Sequence, residues 1–270
     1  MRIGFFDSGI GGMTVLHQAM RYLPNEDYIF YADTLHVPYG EKTKEEVREY
    51  IFDAVDFIAE QGVKAIVIAC NTATSIAVED LRKKYDFPIL GIEPAVKPAI
   101  QNCEGKQKKV LVLATNLTLK EEKFHTLVKS LDHHDIVESL PLPGLVELAE
   151  KFEFREEIVV PYLREKLGSL DLEQYGTIVL GCTHFPYFEN SIKKLFPEEV
   201  DIISGSMGTA KNLRRILKAR NQMNDGTGDI VYFKSGFKVE DKETLSNYKK
   251  LMVRLDELAR DKVKIITPQS

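Results

Sequence analysis

Eight short runs of apolar, mostly β-branched residues recur along this chain, at 3–6, 28–32, 65–69, 89–92, 109–114, 135–140, 177–181 and 201–204, separated by longer amphipathic or charged stretches. One such stretch, 44–61, repeats Val47, Ile51, Val55 and Ile58 at the period of an α-helix. Strands without polar alternation are buried on both faces, and strands linked through helices run parallel. The pattern predicts an α/β fold.

Two strand ends are near copies. Ala-Ile-Val-Ile-Ala-Cys70-Asn71-Thr72 matches Thr-Ile-Val-Leu-Gly-Cys182-Thr183-His184, with the cysteines 112 positions apart. The opening run into Asp7-Ser8 has a counterpart leading into Ala114-Thr115, 107 positions from Ser8 to Thr115. Similar offsets for two landmarks point to an internal duplication. The expectation is two similar parallel-sheet α/β domains, 1–94 plus 209–270 and 95–208, with the tail packing back onto the first. Within that tail, 210–220 and 240–260 read as helices, 224–228 as turns and 230–233 as a strand.

Composition narrows the function classes. The net charge is −5 with no basic block able to follow a phosphate backbone, so nucleic acid is not the expected partner. No apolar run reaches the roughly 18 residues that span a bilayer, and Met1-Arg2 leads straight into a short strand-like run rather than a secretory segment. A cytoplasmic protein without membrane contact is expected. The three cysteines form no C-x-x-C pair, so they read as free thiols and no metal site is expected.

In open parallel sheets, ligands bind beyond the carboxyl ends of the strands. The first such end is Asp7-Ser8-Gly9-Ile10-Gly11-Gly12, running into a helix-like 13–21; its glycines let backbone N–H groups approach an anion. Cys70 and Cys182 each sit at a strand end before a helix-like stretch, where the helix field favours thiolate. Either one alone fits a buried core thiol; two in matching contexts do not. Asp7 and His184 stand where they can exchange protons with a thiol. Around them lie Pro38-Tyr39-Gly40 and the turn Thr115-Asn116-Leu117-Thr118, and these loops carry no Lys or Arg. An acidic ligand would be held by backbone N–H groups and by Ser, Thr and Asn side chains. Cys103, in Gln101-Asn102-Cys103-Glu104-Gly105, has a polar turn context and no assigned role. Thiols approaching one carbon from opposite faces can remove a proton on one side and deliver one on the other, which is racemisation without a cofactor.

The motifs Phe6-Asp-Ser-Gly-Ile-Gly-Gly12, Ala32-Asp-Thr34 with Pro38-Tyr-Gly40, Cys70-Asn-Thr-Ala-Thr74, Gly91-Ile-Glu-Pro94, Leu113-Ala-Thr115 and Gly181-Cys-Thr-His184 together resemble the bacterial glutamate racemases of the aspartate/glutamate racemase superfamily. The resemblance covers about residues 1–210. It implies two domains related by a pseudo-twofold axis with glutamate in the cleft, Cys70 and Cys182 as the two bases, and Asp7, His184 and Glu147 as their helpers. By the same resemblance Ser8, Tyr39, Gly40, Asn71, Thr72, Thr115, Thr118 and Thr183 bind substrate, the protein is a homodimer, and its product D-glutamate serves peptidoglycan synthesis. The chain departs from the family at Leu35-His36, where Ala-Arg is usual, at Asn116-Leu117, and at Ile203-Ser-Gly-Ser206.

Three other readings stand beside this one. A racemase of aspartate would use the same thiols. A cysteine-nucleophile amidase would leave the second cysteine without a role. A two-lobed protein that only binds a small anion would not need paired thiols.

Overall fold

The described residues of the computed structural model are 1–266, without the side chains of Glu41 and 261–266; the end of the expected tail, 267–270, lies outside them. All eight apolar runs are strands: β1 (Ile3–Asp7), β2 (Tyr28–Ala32), β3 (Ala65–Ile68), β4 (Ile89–Gly91), β5 (Lys109–Ala114), β6 (Val137–Pro141), β7 (Tyr175–Leu180) and β8 (Asp201–Ser204). The tail adds β9 (Ile230–Lys234) and the short β10 (Phe237–Lys238), which the sequence did not signal.

The strands form two sheets. The first has the order β10-β9-β2-β1-β3-β4 and the second β6-β5-β7-β8. Apart from the antiparallel β10, every pairing is parallel. The segment β2-β1-β3-β4 has the connectivity of β6-β5-β7-β8, so the duplication seen in the strand ends extends to topology. In each copy strand order reverses beside the first strand, which opens a crevice at the carboxyl ends of β1 and β3 in one sheet and of β5 and β7 in the other.

Both faces of each sheet are covered, as the unbroken apolar runs require. Along β1 and β3, Phe5 and Val67 face a central layer that also receives Leu111, Leu113, Ile178 and Leu180 from the second sheet, together with the C-terminal helix Lys242–Ile266. Their alternates Phe6, Ile66 and Ile68 face the helices Lys44–Glu60 and Asn71–Lys84. The outer face of the second sheet has its own core around Val110, Val112 and Val179. No helix among the described residues is long and apolar enough to cross a membrane.

Two local differences from expectation have physical causes. The sequence predicts a helix over 76–85 after Cys70, and in the structure it begins at Asn71 because Cys70 caps it: the sulfur accepts the Ala73 N–H at 3.4 Å. Asn71, Thr72 and Thr74, which read as loop formers, fill its first turn. Cys103 is not in a surface turn but buried at the end of the helix Val96–Cys103, its sulfur 3.6 Å from the Lys109 carbonyl and from Thr177 Oγ1.

The returning tail is anchored by a buried ion pair. Lys64 Nζ lies 2.5 Å from Glu26 Oε2 and 2.5 Å from the Gln222 carbonyl, while Glu26 Oε1 accepts the Asn224 N–H at 2.9 Å. Lys64 and Glu26 are almost fully enclosed, so removing one partner strands the other without solvent. Lys64→Met should therefore lower the unfolding free energy by about 3 kcal/mol in urea titrations; a loss below about 1 kcal/mol would show the pair to be dispensable.

Candidate active site

The carboxyl ends of β1, β3, β5 and β7 converge on one pocket between the two sheets. It is lined by Ser8, Tyr39, Gly40, Cys70, Asn71, Thr72, Thr115, Thr118, Cys182, Thr183 and His184. All eleven are residues singled out from the sequence, and Asp7 lies behind them at the end of β1, fully buried. Among the described residues lining the pocket there is no Lys or Arg.

On the first side, the Cys70 thiol donates to Ser8 Oγ at 3.7 Å. Burial, and then the Asp7 carboxylate, push this thiol well above the ordinary cysteine range, although the Ala73 N–H and Ser8 act the other way. The helix terminus alone favours thiolate at Cys70; desolvation opposes that and favours the thiol. Asp7 Oδ2 accepts the N–H groups of Gly12 at 2.7 Å and Gly9 at 3.3 Å, and the Thr183 hydroxyl lies 3.3 Å from Oδ1. Burial raises the Asp7 carboxyl to about 6 against the pull of His184 and the Gly12 N–H.

On the second side, Cys182 Sγ is 3.7 Å from His184 Nδ1, and His184 Nε2 is 2.6 Å from Glu150 Oε1. Burial alone would lower the imidazole, but its contacts with Cys182 and Glu150 outweigh burial and raise it well above its ordinary value. Glu150 Oε1 also accepts the Ile10 N–H at 2.8 Å, joining the lobes. Glycine is required where these groups meet: a Cβ on Gly9 would stand 1.9 Å from Glu150 Oε1, and one on Gly11 would stand 2.5 Å from His184 Nδ1.

Three threonines close the pocket. Thr72 Oγ1 lies 3.1 Å from Thr115 Oγ1 and 3.0 Å from Thr118 Oγ1, so a first-lobe helix is tied to a second-lobe strand end. Thr115 caps its own short helix by accepting the Thr118 N–H at 3.2 Å. Asn71 differs from these neighbours. It is buried, and neither its amide nitrogen nor its amide oxygen has a partner. A buried amide left unsatisfied is costly unless a ligand completes it.

Glu147 is not at the site. It points outward, about half exposed, beside Lys151 at 3.8 Å, and Glu150 holds the place expected for it. In the helix Pro143–Glu150 the buried residues are Leu145, Val146 and Ala149. At 3.6 residues per turn, Glu150 falls roughly 90° from the middle of that face, at its rim, and Glu147 roughly 150° away, towards solvent. That period is the signal in the sequence that separates the two glutamates. Asp33 is a further residue without an assigned role. It accepts the Tyr39 hydroxyl at 2.6 Å and the Ser235 hydroxyl at 2.9 Å, and so fixes the loop that brings Tyr39 to the pocket.

The family description Asp/Glu/Hydantoin racemase matches residues 13–210. The chain belongs to this racemase family. It is 65% identical over 263 residues to glutamate racemase 2 of Bacillus subtilis (strain 168), covering 97% of this chain and 99% of that one. Among solved structures, it resembles Escherichia coli glutamate racemase in complex with L-glutamate and the activator UDP-MurNAc-ala. There the TM-score is 0.79 at 28% identity, covering 92% of this chain and 95% of that one. It also resembles the Francisella tularensis enzyme in complex with D-glutamate, with a TM-score of 0.78 at 26% identity, covering 94% and 93%. In this racemase fold, the two-sheet architecture brings Cys70 and Cys182 to one pocket.

The Asp7 carboxyl carries a stability signature. A buried acid whose folded pKa is raised favours the native state less once pH passes its unfolded pKa, and the penalty is complete above its folded pKa. For Asp7 that window runs from 3.8 to about 6. Asp7→Asn should leave stability near pH 4 little changed but raise it at pH 7 by up to about 3 kcal/mol in urea titrations. A constant difference across that range would mean that Asp7 ionises as freely folded as unfolded.

Proposed function

We propose that this protein interconverts L- and D-glutamate by two-thiol proton transfer at the α-carbon, with no cofactor. The observation that carries the reading is the pair of cysteines at equivalent strand ends, lining one pocket from opposite lobes. One sulfur, as thiolate, takes the α-proton, and the C–H electron pair moves into the adjoining carboxylate to give an enolate. The opposite S–H then delivers its proton to the other face of the carbon. Asp7 serves Cys70, and the His184–Glu150 pair serves Cys182, as partners that reset each thiol's proton between turnovers.

The substrate carboxylates are held without Lys or Arg. Ser8, Tyr39, Gly40, Thr72, Thr115, Thr118 and Thr183 offer hydroxyls and backbone N–H groups around the pocket, and the unpartnered Asn71 amide offers a donor and an acceptor. The helix Asn71–Lys84 presents its N-terminus there, where negative charge is favoured. In this reading the two lobes are 1–94 with 209–270 and 95–208, substrate lies in the cleft between them, and the protein is a cytoplasmic homodimer supplying D-glutamate for peptidoglycan. Support for glutamate rather than aspartate comes from relatives named as glutamate racemases along nearly their whole length.

Incubation with L-glutamate, D-glutamate and L-aspartate, followed by chiral analysis, tests the reading. Both glutamate enantiomers should converge on an equal mixture while aspartate lags by at least about a hundredfold in kcat/KM. Glu150→Gln should lower kcat/KM by about tenfold or more, and Glu147→Gln should stay within about twofold of wild type. Faster turnover of aspartate, or equal effects of the two substitutions, would contradict the assignment.

A further inference from the structure

A hydrogen-bonded route runs from the C-terminal helix to one of the two thiols, and the function described above does not use its outer half. Arg254, on that helix, donates from Nη2 at 2.8 Å and from Nε at 3.2 Å to the carbonyl of Tyr187. The Tyr187 hydroxyl donates to the Ile10 carbonyl at 2.9 Å, and the Ile10 N–H donates to Glu150 Oε1 at 2.8 Å. Glu150 contacts His184, which contacts Cys182. Ile10 is thus held through both of its peptide groups by second-lobe side chains. Its neighbour Gly11 makes the close approach to His184.

The outer half is rigid by construction. The Tyr187 ring is fully buried and packs against Phe154, with ring centroids 5.5 Å apart. The Arg254 guanidinium lies over the same Phe154 ring, 4.6 Å from its centroid. The helix carrying Arg254 is seated on the first lobe: Tyr248 packs edge-on to Phe30, and Asp256 Oδ1 lies 2.9 Å from His17 Nε2. Arg254 therefore ties the turn Phe185–Phe188, which follows directly on His184, to the opposite lobe. Around Cys70 the close partners are Ser8 and the Ala73 N–H, which make no direct hydrogen bond to the route; Ser8 shares the turn 7–12 with Ile10, where the N–H groups of Gly9 and Gly12 hold that turn independently on Asp7.

We propose that Tyr187 and Arg254 are positioning residues for the Cys182 half of the reaction, setting the His184–Glu150 pair against that thiol. The inference rests on the two-thiol reading and on what the resemblance to glutamate racemases implies, that Cys182 faces the α-proton of L-glutamate and Cys70 that of D-glutamate. Losing either contact lets His184 drift from Cys182 and slows proton transfer through that sulfur, while transfer through Cys70 keeps its geometry.

Because the two enantiomers interconvert through one path, kcat/KM must fall equally in both directions; the asymmetry appears in isotope effects. With α-deuterated L-glutamate Cys182 breaks the C–D bond, and with the D enantiomer Cys70 does. Tyr187→Phe should lower kcat/KM by about threefold and Arg254→Ala by about tenfold. Both should raise the isotope effect on kcat/KM for L-glutamate and depress it for D-glutamate towards unity. Arg254→Lys, which keeps a donor and the charge, should restore wild-type isotope effects. Losses with both isotope effects unchanged, or shifted in the opposite sense, or no loss at all, would overturn the positioning role. Should Arg254→Ala fail to fold, Tyr187→Phe decides by the same criteria, and isotope effects in Arg254→Lys that depart from wild type as Tyr187→Phe does not would overturn the role of Arg254. Racemisation surviving in Cys182→Ser would instead defeat the two-thiol reading, separating the two failures.

Discussion

Two thiols can act on one carbon only if the carboxyl ends of two separate parallel sheets are held face to face, and that alignment is the constraint on which the rest of this structure depends. Sheet topology brings the ends near one another, but hydrogen bonds between the lobes set their register. Asp7 meets Thr183, Ile10 meets Glu150, and Thr72 meets Thr115 and Thr118. Each contact joins the segment at or just after a first-lobe strand end to the second lobe, so the groups that hold the lobes together are also those around the two thiols. The shared apolar layer containing Val67, Leu113 and Leu180 supports the same alignment from beneath.

Electrostatics give the two sides different characters despite their common topology. On the Cys70 side burial drives the Asp7 carboxyl towards its protonated form, and burial together with the Asp7 carboxylate drives the thiol the same way. On the Cys182 side a histidine, compensated by Glu150, stands next to the sulfur. An acid stands on one flank and an imidazole on the other, so in the proposed reaction each thiol has its own proton exchanger. The duplicated scaffold therefore carries unlike chemistry at its two equivalent ends.

Much of this was legible in the sequence, for identifiable reasons. Strands buried on both faces leave unbroken apolar runs, so the eight strands of the two lobes could be read directly, and the repeated Cys70 and Cys182 contexts reported the duplicated topology. What was missed depended on packing between distant segments. The resemblance implies Glu147 because it fixes a motif more firmly than the register of the helix that carries it; the burial of Leu145, Val146 and Ala149 points to Glu150. The ionisation of Cys70 was misjudged because helix position is visible in a sequence and desolvation is not. The hydroxyl that Ser235 gives to Asp33 reaches a partner 202 residues earlier, whereas strand β10 pairs with its neighbour β9 and, at two residues, is too short to leave a pattern.

Hydrogen exchange at the α-carbon in heavy water tests two-thiol transfer most directly. With the donor proton drawn from a thiol equilibrated with solvent, product formed early from either enantiomer should carry deuterium at Cα while unreacted substrate stays protiated. Early product that keeps the substrate's own hydrogen, or substrate and product labelled at equal rates, would contradict transfer between two opposed thiols.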